Sequence, residues 1–83
     1  MVTVGDKIEG LRVVIYTNDH RPAHVHVMGG GCEAVFKLNC PGGPPELREN
    51  YGFAPGRISR IKRALTLRLT SLCGQWSRIH GLP

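Results

Sequence analysis

Asp19, His20, His24, His26 and Glu33 are the densest set of side chains able to hold a metal or move a proton in this 83-residue chain. His24 and His26 lie two apart in the alternating run His24-Val25-His26-Val27-Met28. Successive side chains of a strand point to opposite faces, so both imidazoles leave by the same one. Two imidazoles so arranged can reach a single ion at ~2.0–2.1 Å. Glu33, or alternatively Asp19, can complete a site of the kind zinc or iron uses. The metal set read from the sequence is His24, His26 and Glu33.

The same rings suit acid–base chemistry without a metal. Imidazole titrates near neutral pH, so among His20, His24 and His26 one ring can take a proton from a ribose hydroxyl while another donates one. Arg21 and Lys37 can stabilise charge growing on a phosphate. A third arrangement carries no chemistry: Asp19 and His20 cap a turn through bonds to the backbone, and His24 pairs with a carboxylate across a sheet. Weighed together, these readings put a chain without a resident cofactor ahead of one holding a divalent metal.

The elements that must position these residues can be read from periodicity. Leu11-Arg12-Val13-Val14-Ile15-Tyr16 is rich in β-branched residues and ends at the turn cluster Thr17-Asn18-Asp19, which makes it a strand. The histidine run is a second strand, stopping at Gly29-Gly30-Gly31, and Cys32-Glu33-Ala34-Val35-Phe36-Lys37-Leu38-Asn39 is a third. Together the last two read as a hairpin around the glycines. A two-residue loop, at Gly29-Gly30 or Gly30-Gly31, keeps Val25 and Val27 on the face that carries Ala34, Phe36 and Leu38; a three-residue loop would mix the faces. The first option sets His26 directly opposite Glu33. Residues 46–51 are either a short edge strand or an irregular crossing.

Beyond Pro55 the period changes. Ile58, Ile61, Leu65, Leu69, Leu72, Trp76 and Ile79 recur at spacings of 3, 4, 4, 3, 4 and 3, one stripe of an α-helix. Proline suits the first turn, and Gly81-Leu82-Pro83 supplies a stop. Gly74 is where such a helix would bend, since an interior glycine costs ~1 kcal/mol. The expected fold is α+β, one domain over residues 1–83. A small antiparallel sheet of three to four strands with a central hairpin packs against one long C-terminal helix.

Charge divides sharply along the chain. Residues 1–52 hold five basic groups and six acids, a net of −1, whereas residues 53–83 hold Arg57, Arg60, Lys62, Arg63, Arg68 and Arg78 with no acid, a net of +6. All six lie off the apolar stripe. Unrelieved like charge repels itself, so an acidic protein or a nucleic acid is the expected partner. Free N–H groups and the dipole at the helix start favour an anion there, which makes Arg57, Arg60, Arg63 and Arg68 the expected contact surface for carboxylates or phosphates.

Composition narrows the setting. No apolar run approaches the ~20 residues that span a bilayer, and the first residues lack the basic-then-apolar pattern of a signal peptide. A cytoplasmic protein without membrane contact is expected. Cys32, Cys40 and Cys73 are odd in number and far apart. They read as three small thiols in a reducing compartment, with one disulfide as the alternative.

The string Tyr16-Thr17-Asn18-Asp19-His20-Arg21-Pro22-Ala23-His24-Val25-His26-Val27 resembles the signature of a bacterial family, the domain of unknown function numbered 4160. The likeness continues through Gly30-Gly31-Cys32-Glu33-Ala34-Val35-Phe36, Glu49-Asn50-Tyr51-Gly52-Phe53, Trp76 and Gly81. Ala23 stands where a second proline is common, and the helix lacks the glutamates expected of relatives. The resemblance implies a small bacterial cytoplasmic protein, often encoded beside a second small protein and described as a toxin–antitoxin component. It implies no reaction. The function expected is therefore macromolecular binding within a two-gene module, with a cognate small acidic protein or a nucleic acid as partner. A His-dependent ribonuclease-type toxin and a small metal-binding protein using His24 and His26 are the alternatives.

Overall fold

The computed structural model describes residues 2–3 and 7–82. Met1, residues 4–6 and Pro83, which belong to the stretch read for a leader and to the helix stop, lie outside the described residues. The elements run β1 (Val2–Thr3), β2 (Arg12–Ile15), β3 (His24–Gly29), β4 (Cys32–Lys37), β5 (Glu46–Tyr51), α1 (Pro55–Leu67) and α2 (Leu69–His80). The strands form one antiparallel sheet in the order β1-β2-β3-β4-β5. Four of them span four residues or more, and β1 is a two-residue addition beside β2. Residues 46–51 are an edge strand, paired with β4 across an irregularity at Val35/Phe36.

The hairpin turns at Gly30-Gly31, whose φ angles of 58° and 79° fit the primed turn that matches strand twist. Gly29 is therefore the last residue of β3 and faces Cys32. His26 stands opposite Val35 rather than Glu33, which lies on the diagonal. The even loop keeps the faces apart as the alternation requires. Val25, Val27, Ala34 and Phe36 are fully buried in the main core with Val13, Ile15 and Leu38.

The helical stripe packs against that core. Ile61, Leu65, Leu69, Leu72 and Trp76 are buried, and Ile58 and Ile79 pack at its margin. The single long helix expected from the stripe is instead two, separated at Arg68, whose φ of −113° and ψ of 14° leave helical geometry. The break is not at Gly74, which stays inside α2. Thr66 Oγ1 donates to the Lys62 carbonyl at 2.8 Å, a back-bond of the kind that bends helices. Arg68 N–H then bonds the Leu65 carbonyl, three residues back. Because the stripe's spacing continues through this point, both helices bury the same face.

Cys40 and Cys73 are joined by a disulfide with Cα atoms 5.9 Å apart, tying the β4–β5 connection to α2. Only Cys32 is the free thiol expected of all three. No helix among the described residues is long and apolar enough to cross a membrane.

Candidate metal centre

The sheet face opposite the main core carries the histidines, and its centre is dry. His26 sits in register between Val14 on β2 and Val35 on β4, both buried. The turn after β2 then folds Asp19 over this row. Asp19 N–H donates to the Tyr16 carbonyl at 3.0 Å, and Tyr16 N–H donates to Asp19 Oδ2 at 2.9 Å. This reciprocal pair fixes the carboxylate above the two rings. His24 Nε2 lies 3.4 Å from Asp19 Oδ1, and His26 Nε2 lies 3.5 Å from Asp19 Oδ2.

The outer nitrogens of both rings are engaged elsewhere. His24 Nδ1 donates to the Pro22 carbonyl at 2.8 Å, and His26 Nδ1 donates to Glu33 Oε2 at 3.1 Å. A carbonyl or a carboxylate only accepts, so each Nδ1 carries a proton, and a ring with that single proton turns its Nε2 lone pair inward. Both lone pairs thus face a carboxylate that is itself an acceptor. His26 Nε2 is fully buried and has no hydrogen-bond partner. A buried acceptor left in that state costs about 1–3 kcal/mol.

One donor atom from each of Asp19, His24 and His26 lies within 4.8 Å of the others. Bonds of ~2.0–2.1 Å at a tetrahedral ion put neighbouring ligand atoms about 3.3 Å apart. The contacts from Asp19 run from its two oxygens, 3.4 Å from Oδ1 to His24 and 3.5 Å from Oδ2 to His26, and a small closure of the 4.8 Å set brings one oxygen and both rings to that spacing. The Nδ1 bonds to Glu33 and the Pro22 carbonyl are the outer contacts that orient metal-binding histidines and raise their basicity. Two imidazoles and one carboxylate with positions left open suit zinc or iron(II), not calcium or magnesium.

Of the residues singled out in the sequence, His24 and His26 meet here, and Glu33 meets them at the outer nitrogen of His26. Asp19 takes the inner position. His20 is exposed on the turn and is not among the converging donors. Sequence reasoning missed the Pro22 carbonyl and Trp76. The Trp76 indole centroid lies 5.3 Å from that of His24, and the Tyr16 ring meets His26 edge-on at 4.7 Å. Tyr16 immediately before the turn and a proline two residues before His24 were the available signals.

The basic residues lie elsewhere. Arg57 donates to the Glu9 carbonyl at 3.1 Å and lies over the Phe53 ring. Arg60 Nε donates to Glu9 Oε1 at 3.2 Å. Both line an open groove of about 560 Å³ beside the hairpin glycines. Arg63 borders a shallower hollow with Glu9, Arg60 and Leu67, and Arg68 is exposed at the helix break.

An antiparallel sheet packed against two helices, with a two-histidine, one-carboxylate convergence on side chains that alternate away from the main core and that the end of α2 reaches at His24 and Tyr16, defines a small α+β domain with a candidate metal centre. The chain belongs to the family described as domain of unknown function (DUF4160), whose model matches residues 10–77 and so includes Asp19, His24, His26 and Glu33. Neither a curated protein nor a solved structure matches the chain.

Proposed function

We propose that the protein binds one divalent transition-metal ion through Asp19, His24 and His26. The observation that carries this is the buried, unpartnered Nε2 of His26, turned with that of His24 toward a carboxylate that cannot donate to either. A purely structural network would bring N–H groups onto Asp19 in hydrogen-bonding geometry. Here the inner contacts lie at 3.4 Å and 3.5 Å, and His26 Nε2 makes no hydrogen bond. An ion between the three donors satisfies them all. Calorimetric titration of tag-free, metal-stripped protein with zinc is expected to give one ion per chain. Asp19→Asn and the double variant His24→Ala, His26→Ala lose it while circular dichroism holds. Binding that survives in both variants would overturn the proposal.

The ribonuclease reading draws less from the geometry, since His20 is not among the converging donors and both Nδ1 atoms are occupied. Partner binding is the second reading, favoured by one specific observation. Leu67, at the end of α1, is 83% exposed beside Arg63 on a helix without acids. Two arginines and a bare leucine at positions 60, 63 and 67 share one helix face and suit an acidic segment with an apolar anchor better than a phosphate backbone. A second small protein of a toxin–antitoxin-like module would supply such a segment. In the cytoplasm, Cys40 and Cys73 would be met as two thiols. Arg60→Glu with Arg63→Glu should abolish capture of a co-encoded acidic partner and its salt dependence; unchanged capture would remove this reading.

A further inference from the structure

The candidate ligands are tied to the end of α2 by a closed circuit of contacts. Asp19 Oδ2 accepts from Tyr16 N–H at 2.9 Å, and the Tyr16 carbonyl accepts from His80 Nε2 at 3.0 Å. The His80 ring lies 4.2 Å from the Trp76 ring, which lies 5.3 Å from that of His24, centroid to centroid. His24 then returns to Asp19 at 3.4 Å. Trp76 also reaches beyond the helix, its indole N–H donating to the Leu82 carbonyl at 3.1 Å. Two of the three candidate ligands therefore rest on the C-terminal end of α2, Asp19 through the Tyr16 backbone and His24 through an aromatic face.

Among the described residues no other hydrogen bond or ring contact engages His80 or the Leu82 carbonyl, and helix ends are where local opening costs least. Resting on the metal reading above, we infer that metal occupancy is coupled to docking of the last turn of α2. An ion that fixes Asp19 and His24 fixes the two surfaces on which His80 and Trp76 sit. Linkage makes the effect reciprocal: a docked turn raises metal affinity by the factor by which metal favours docking. The ion-free chain opens from residue 82 back toward Trp76 more often than the loaded one, so the exposure of the indole reports occupancy. His80 acts here as a positioning residue, holding the carbonyl of Tyr16, the residue whose own N–H aims Asp19.

The test uses the full chain, with zinc as the probe. Amide hydrogen exchange is followed at residues 76–82 with and without zinc, and zinc affinity is measured in wild type, His80→Ala and His80→Gln. Zinc is expected to slow exchange in that segment, and His80→Ala to weaken zinc binding about fivefold, the lower end of typical coupling. His80→Gln keeps a donor for the Tyr16 carbonyl and should recover most of the affinity. Should His80→Ala fail to fold, the exchange comparison on wild type alone decides. Wild-type zinc binding at one ion per chain with unchanged exchange at residues 76–82 would overturn the coupling while leaving the metal centre standing. No zinc binding at all would overturn both.

Discussion

Replacing Glu33 with Gln probes the candidate centre without touching a ligand. Glu33 accepts from His26 Nδ1 at 3.1 Å, and Gln can still accept there through its amide oxygen. What the substitution removes is the negative charge that makes the imidazole a better donor to a cation. Loss of such outer contacts costs about 10–100-fold in metal affinity. The Glu33 side chain is 40% exposed, so solvent screens part of its field. The lower end applies: about tenfold, or ~1.4 kcal/mol. The matching drop in metal-linked stability follows from mass action. Ion at a hundred times the dissociation constant adds about 2.7 kcal/mol to wild type and, at the same concentration, about 1.4 kcal/mol to the variant. For a domain of this size each kcal/mol moves the melting temperature by roughly 4–8 °C. Zinc should therefore raise the melting point of Glu33→Gln by about half as much as that of wild type. Calorimetric titration at neutral pH gives the affinities directly, and scanning calorimetry gives the shifts. Equal zinc affinity within twofold in the two proteins would refute the assignment of Glu33 as the outer partner of a ligand.

Other consequences concern the scaffold and its edge. Ile61→Val, at a fully buried position, should cost about 0.5–1.5 kcal/mol in urea unfolding, whereas Leu67→Ala, at the exposed end of the same helix, should change stability by less than about 0.5 kcal/mol. Gly31→Ala meets no atom within 4 Å but imposes a side chain at φ 79°, so a loss of about 1–2 kcal/mol is expected from the backbone alone. Tyr51 donates to Glu49 at 2.7 Å, and this bond, then the carboxylate's charge, raises the phenol above its ordinary 10.0. A raised folded value favours the protonated phenol, so its contribution to stability is present below pH 10 and fades as pH climbs through the raised value. Glu49→Gln should move the phenolate absorbance titration back toward 10.0.

The parts of the fold governed by period were legible in the sequence. The stripe of residues 58–79 predicted every buried helical position, because burial of one face constrains spacing whatever the backbone does between turns. It could not reveal the break at Arg68. The break sits beside a local Thr66–Lys62 bond and leaves the spacing intact. The hairpin's even loop followed from keeping Val25 and Val27 with Ala34 and Phe36. Both even loops satisfy that condition, and only the positive φ of Gly30 and Gly31 distinguishes them. The histidine face was readable for the same reason. Face arguments favour residues on paired strands, which is why Glu33 stood out. Asp19 reaches the site through a turn whose course periodicity does not encode. The Cys40–Cys73 pair was hidden likewise, because it joins a loop to a helix 33 residues further on.

The most direct test of the metal centre is a crystal structure of zinc-loaded protein with anomalous data collected across the zinc absorption edge. The account predicts one anomalous peak per chain, ~2.0–2.2 Å from His24 Nε2, His26 Nε2 and an Asp19 carboxylate oxygen, with the Nδ1 bonds to the Pro22 carbonyl and Glu33 retained. A peak held by Glu33 on the outer side of His26, or density between the three donors that carries no anomalous signal, would contradict it.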